Sequence, residues 1–172
     1  MSAAGLSDGT AAAARMSLSN AAWRGFSDRV MGGVSRETVS REVIDGESCV
    51  RLTGEVRLDN NGGFIQMAID LAPEGRTIDA SCFDGVELRV RGNGETYGAH
   101  LRTSDAVRPW QSYRASFVAG PRWTDIRIPF AKFQPYRLST PLDVTVLRRL
   151  GLVAIGRAFY ADLSVNHASL YS

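Results

Sequence analysis

Residues 84–104, DGVELRVRGNGETYGAHLRTS, decide the fold. Asp84-Gly85 and Asn93-Gly94 are turn dipeptides, and between them Val86, Leu88 and Val90 alternate with Glu87, Arg89 and Arg91. Successive side chains of a strand point to opposite faces, so this spacing predicts a strand with an apolar inner face and an arginine-bearing outer one. The following segment, TYGAHLRTS, puts His100 and Arg102 on one face by the same rule.

The punctuation recurs on both sides of this stretch. Asp45-Gly46, Asn61-Gly62-Gly63, Glu74-Gly75 and Gly120-Pro121 separate strand-length segments, as in an antiparallel sandwich or barrel. Residues 37–44 and 48–58 read as a hairpin across Asp45-Gly46. Ile65, Met67, Ile69 and Leu71 share a core face, as do Phe159, Ala161, Leu163 and Val165 near the end. In QSYRASFV, Tyr113, Ala115 and Phe117 face inward and Ser112, Arg114 and Ser116 outward. Residues 122–130 form a strand that Pro129 ends. Thr140-Pro141-Leu142-Asp143 has the form of a helix start, with Leu142, Val146 and Leu150 on one helical face before Gly151. The expectation is an all-β domain of about eight strands with one short helix. Arg89, Arg91, Arg102 and Arg114 each oppose the apolar phase of their strand and are expected on one sheet face. That face is either a solvated surface or a recognition surface for carboxylates, phosphates or a protein, which planar guanidinium forks suit.

The whole chain narrows the classes. Its 172 residues, 44% hydrophobic and 22% charged, suit a single β-sandwich domain at 20–172 behind an Ala-rich N-terminal extension, 1–19, expected to be disordered, with Met16 as a second candidate start. Twenty basic residues are interspersed with 18 acidic ones, which argues against nucleic acid as a partner. Lys132 is the single lysine, a usage expected of a high-GC bacterial genome. Cys49 and Cys82 stand far from His100 and His167, so no metal-ligand spacing arises, and both are expected as buried free thiols. A signal peptide and a run of roughly 18 apolar residues are both missing, so no transmembrane segment is expected and a cytoplasmic protein is. The Gly-Gly-Val-Ser run at 32–35 lacks the second glycine of a nucleophile elbow, and Gly92-Asn93-Gly94 leads into a strand instead of a helix. No catalytic constellation and no cofactor site follow, and a hidden enzyme would need Asp28, Ser35, Arg91 and His100 to converge.

The candidate site starts at residues 23–35, WRGFSDRVMGGVS, which lack helical periodicity. Trp23 and Phe26 can anchor the segment, Asp28 can accept from backbone amides, and Gly32 and Gly33 permit positive φ or close backbone approach. The loop is either structural or a binding element that includes Met31 and Ser35. A second Gly-Gly element, Asn61-Gly62-Gly63-Phe64, is expected beside it. Trp23, Tyr97, Trp110 and Tyr113 are candidate exposed aromatics for stacking on a sugar ring.

These residues resemble a known family, the complex I intermediate-associated proteins. Similar to its pattern are Trp23 followed by Asp28-Arg29-Val30-Met31-Gly32-Gly33-Val34-Ser35, then Asn61-Gly62-Gly63-Phe64, the strand and turn from Asp84 through Tyr97, and Trp123 with Ile128-Pro129-Phe130 and Phe133. Gly151 to Val165 resembles its closing strands, so the likeness spans about residues 20–166. The chain departs from the pattern at Asn93, often Asp in the family, and at Leu138, where Arg-Gly is usual. The resemblance implies a galactose-binding-like jelly roll and a non-enzymatic, chaperone-like helper of respiratory complex assembly with a protein partner such as a subunit of that complex. A carbohydrate or small polar ligand is the alternative the jelly-roll type implies.

Overall fold

The computed structural model describes residues 15–18 and 22–172, and most of them lie in strands. In chain order these are β1 (Arg15–Leu18), β2 (Arg24–Ser27), β3 (Arg36–Ile44), β4 (Glu47–Val56), β5 (Phe64–Asp70) and β6 (Gly85–Gly92). There follow β7 (Thr96–Thr103), β8 (Ser112–Val118), β9 (Thr124–Pro129), β10 (Gln134–Tyr136), β11 (Leu147–Ile155) and β12 (Phe159–Tyr171). They form two six-stranded antiparallel sheets. The first has the order β3-β4-β12-β6-β9, with β1 on the end of β12, and the second β10-β8-β7-β11-β5-β2.

Period-two alternation produces the sandwich directly. Leu52, Val86, Leu88, Leu163 and Val165 of the first sheet and Ile65, Met67, Leu101, Leu150 and Leu152 of the second are all fully buried. Each such side chain contributes about 1.5–3 kcal/mol relative to exposure. The predicted Asp45-Gly46 hairpin forms, with Ile44 opposite Glu47 and both turn residues at positive φ.

The segment expected as a helix does something else. Asp143, not Thr140, caps a single 3-10 turn at Val144–Val146, its Oδ1 accepting from the Thr145 amide at 3.0 Å. The chain then enters β11, which is bonded to β7 on one side and β5 on the other. A two-turn helix is marginal alone, whereas a central strand satisfies its backbone on both edges and buries Leu150, Leu152 and Ala154. Twelve strands among the described residues exceed the eight expected because β1, β2 and β10 are too short to show alternation. Arg15–Leu18, within the stretch expected to be disordered, pairs with Ala168–Tyr171, while residues 1–14 and 19–21 lie outside the described residues. Cys49 is buried as expected, Cys82 is exposed, and both are free. Among the described residues no helix is long and apolar enough to cross a membrane.

Candidate functional site

Asp28 joins the two Gly-Gly elements. It opens a 3-10 turn (Asp28–Met31) that Gly32 ends at φ 86°. Its Oδ1 accepts from the Ser35 amide at 2.9 Å, and its Oδ2 from Ser35 Oγ at 2.5 Å, Gly63 N at 2.6 Å and Phe64 N at 3.2 Å. A Cβ on Gly33 would lie 2.4 Å from Asp28 Cγ, and one on Gly62 2.7 Å from Oδ2. Gly33 is therefore glycine because a carboxylate lies against it; the left-handed member of that pair is Gly32. Burial pushes the Asp28 carboxyl up, but the hydrogen bonds from Ser35, Gly63 and Phe64 outweigh it and hold the group below its ordinary value. The Asn60 amide adds a bond to Gly32 O at 3.3 Å, which completes a latch between residues 28–35 and 60–64. The neighbourhood expected from sequence exists, with Asn61 in the turn, but Trp23 serves it only as an anchor in the core at 4% exposure. The outside of the latch is apolar: Val30, Met31 and Leu58 are 74%, 54% and 52% exposed.

The latch walls one side of a cleft of about 530 Å³ over the outer face of the second sheet. Cross-strand register assembles its floor. Asp70, Arg149 and Arg102 stand in one row across β5, β11 and β7. The next row is Ala68, Gly151, His100, Arg114 and Gln134. The His100 imidazole lies over Gly98, whose absent Cβ leaves room for it, and Gln66 lies over Gly151 in the same way. Phe26, Phe64, Trp110 and Tyr136 are the aromatic rings of the lining.

The electrostatics of this floor are one-sided. Arg102, Arg114, Arg137 and Arg149 line the cleft, and no carboxylate among the described residues does. Asp70 lies just outside and is shared between Arg149 at 2.9 Å and Arg24 at 2.6 Å. Arg114 is stacked 3.6 Å from the Tyr136 ring centre and donates through Nε to Ser112 Oγ at 2.8 Å. Arg102 donates through Nη2 to Ala106 O and Arg108 O, while its buried Nε has no partner among the described residues. Burial, then the Arg149 and Arg148 charges, lowers the proton affinity of Arg102; burial likewise lowers that of Arg114, with Arg137 adding to it. Burial and Arg114 push His100 down to about 3, so it is neutral at physiological pH.

The four arginines expected on one face are on two. Arg89 and Arg91 lie on β6 in the first sheet, Arg102 and Arg114 on β7 and β8 in the second. The first pair is neutralised: Arg89 holds Glu47 at 2.6 and 3.0 Å and Asp125 at 3.2 Å, and Arg91 pairs with Asp45. These pairs are partly exposed, so Arg89→Ala and Arg91→Ala should each cost no more than about 1 kcal/mol in denaturant melts. A larger loss would mean that the ion pairs hold the hairpin.

Tyr97 and Tyr113 are core residues, 1% and 0% exposed, not stacking platforms. The Tyr97 hydroxyl, its pKa pushed up to about 12 by burial, donates to Asn93 Oδ1 at 2.6 Å and accepts from Asp162 N at 2.9 Å. Asn93, the departure from the family pattern, thus holds a structural corner. Of the proposed aromatics, Trp110 is exposed, at 48%. Ser35 Oγ donates to Asp28 and accepts from Arg57 N at 2.8 Å, while His100 and Arg91 lie on different sheets, so Asp28, Ser35, Arg91 and His100 do not converge. Arg149, Gln66 and Tyr136 were missed. For Arg149 a signal existed, since Arg149, Gly151 and Val153 alternate with Leu150, Leu152 and Ala154, but the helical pattern overlapping it was read instead.

Solved structures share the fold. The family 11 carbohydrate-binding module from Clostridium thermocellum, in complex with a β-1,3-1,4-mixed-linked tetrasaccharide, is 14% identical with a TM-score of 0.72, over 91% of this chain and 94% of that one. A family 30 carbohydrate-binding module is 13% identical with a TM-score of 0.60, over 81% and 92%. The agarase AgWH50C is 10% identical with a TM-score of 0.54, over 80% of this chain but 22% of its own. No curated protein matches the chain. The sequence pattern of one family matches residues 13–163, a span that includes the Asp28 latch and both Gly-Gly elements, and by it the chain belongs to the Complex I intermediate-associated protein 30 family.

Proposed function

We propose that this chain is a non-catalytic binding module that captures a protein partner in the cleft over its second sheet, as an assembly factor of a respiratory complex would. The observation that carries this reading is the cleft's edge, where Val30, Met31, Leu58 and Trp110 are left in water beside a preformed recess. Large apolar side chains grouped at a recess favour a contact surface over a solvated one. Membership of a family named for intermediates of complex I supports a subunit of such a complex as the partner. The cytoplasm is the compartment we propose.

Carbohydrate is the second reading, favoured by the tetrasaccharide bound to the family 11 module of the same fold. Sugar rings stack on bare aromatic faces. Here two of the four cleft rings are covered by guanidinium groups, Phe26 by Arg24 and Arg149 and Tyr136 by Arg114 and Arg137, which disfavours a neutral glycan.

The test is quantitative co-purification from the native host. Met31→Asp combined with Trp110→Ala should weaken partner capture by about tenfold or more at an unchanged melting temperature. Arg89→Ala with Arg91→Ala, on the other sheet, should leave capture intact. Undiminished capture by the folded Met31/Trp110 variant overturns the proposed surface, and saturable binding of a neutral oligosaccharide with no co-purifying protein hands the cleft to the second reading.

A further inference from the structure

We infer that the cleft takes an extended acidic peptide segment, whose carboxylates sit on Arg102 and Arg114. This rests on the reading of the cleft as a protein-binding surface and names the chemistry of what it binds. Four arginines face the recess with no acid among the described residues of its lining; Arg149 reaches Asp70 just outside it, whereas Arg51, Arg89, Arg91 and Arg127 on the first sheet each hold a carboxylate of this chain. No carboxylate among the described residues lies within salt-bridge distance of Arg102 or Arg114. Burying like charges side by side is unfavourable unless an opposite charge joins them, and the lowered proton affinity of both groups reflects that.

Two features go beyond net charge. The Arg102 Nε is buried without an acceptor among the described residues, which leaves this guanidinium short of hydrogen bonds and favours a carboxylate beside it. Arg114 and Arg137 lie over Tyr136, and Arg24 and Arg149 over Phe26. Arg114, 3.6 Å from the Tyr136 ring centre, donates through Nε to Ser112, which leaves its terminal N–H groups to meet a carboxylate.

Spacing and edge favour a peptide over an acidic sugar. The row holding Arg102 and Arg149 and the row holding Arg114 are two residues apart along the strands, about 7 Å. Side chains at i and i+2 of an extended peptide have the same separation, so alternate acidic residues meet successive rows. The residues between them turn toward the rim, where Val30, Met31 and Leu58 offer apolar contact that a uronic acid chain does not use.

The experiment measures binding to the full chain by fluorescence anisotropy. The probes are a labelled alternating Asp-Leu peptide, its Asn-Leu counterpart, tetragalacturonate and an uncharged mixed-linked glucan tetrasaccharide. The Asp-Leu peptide should bind saturably, at least about tenfold tighter than the Asn-Leu peptide, and weaken with added salt. Arg102→Gln with Arg114→Gln should remove about tenfold or more of that affinity. Arg102 also holds the backbone at Ala106 and Arg108, so Arg114→Gln alone, which breaks no backbone contact, must move affinity the same way. Equal binding of the two peptides, tighter binding of tetragalacturonate or the glucan, or the absence of saturable peptide binding overturns the inference. Partner capture from the host separates the two levels. If Met31→Asp with Trp110→Ala abolishes capture and Arg102→Gln with Arg114→Gln does not, the acidic peptide fails and the protein-binding surface stands; if neither variant alters capture, both fail.

Discussion

Replacing Asp28 with alanine should lower the stability of the protein by about 3–5 kcal/mol, the largest effect expected of any single change to the loop. The carboxylate has no exposed surface and accepts from Ser35 N, Ser35 Oγ, Gly63 N and Phe64 N. Alanine leaves those donors without an acceptor, and the loops at 28–35 and 60–64 lose what joins them. Asparagine keeps the shape but turns a donor toward donors, so Asp28→Asn should recover less than half of the loss. The linkage has a definite sign. The folded-state pKa is depressed, so the ionised group contributes stability above its ordinary 3.8, and that contribution disappears as pH falls through the folded value. The gap between wild type and Asp28→Asn should therefore be widest near neutral pH and shrink below 3.8. Urea melts across pH measure this; a loss under about 1 kcal/mol for Asp28→Ala would show that the latch is incidental. Gly33→Ala provides an internal check, because its Cβ collides with Asp28 Cγ. In the Asp28→Ala background the 2.4 Å contacts with Cγ and Oδ1 are gone while the 2.8 Å contact with Cβ remains, and a double-mutant cycle should show part of the glycine's cost removed.

Acid should also act through His100. Its folded-state value of about 3 lies far below the ordinary 6.5 because burial and the facing Arg114 exclude the imidazolium. The depressed value means that the unfolded chain takes up a proton below pH 6.5 that the folded protein refuses, so stability falls from there down to about pH 3. At about 1.4 kcal/mol per unit, the loss from this residue is on the order of 3–5 kcal/mol. Arg114 stands opposite His100, Arg102 two residues along the same strand and Arg149 opposite Arg102; the one carboxylate in these two rows, Asp70, is at the far end, held by Arg149 and Arg24. His100→Gln should flatten the stability curve between pH 6.5 and 3 relative to wild type. Parallel curves for the two proteins would mean that the imidazole is hydrated and titrates normally.

Much of the site was readable in residue types. Trp23, Asp28 and the two Gly-Gly elements were expected as one neighbourhood, and all but Trp23 meet at the Asp28 carboxylate. Of the two reasons the sequence offered for this pair, each glycine has one: positive φ belongs to Gly32, and glycine at 33 makes room for the Asp28 side chain. A sequence shows that a residue has no side chain but not what approaches it. The aromatics were harder, because Trp23, Tyr97 and Tyr113 have the same composition signal whether they face solvent or the core.

The sequence by itself determined the longer strands from β3 to β9 and β12, their inner and outer faces and the hairpin at Asp45-Gly46, because alternation and turn preference act between residues close in the chain. Tertiary structure alone decided which outer faces belong together. Arg89 and Arg91 have the same local pattern as Arg102 and Arg114, yet β6 pairs with β12 and β9 while β7 pairs with β11 and β8. Those partners come from distant segments, and their choice sends one arginine pair to carboxylates and the other to an unneutralised cleft. The same distance hid β11, whose cap and helical spacing are local signals overridden by two strands that supply hydrogen bonds on both edges.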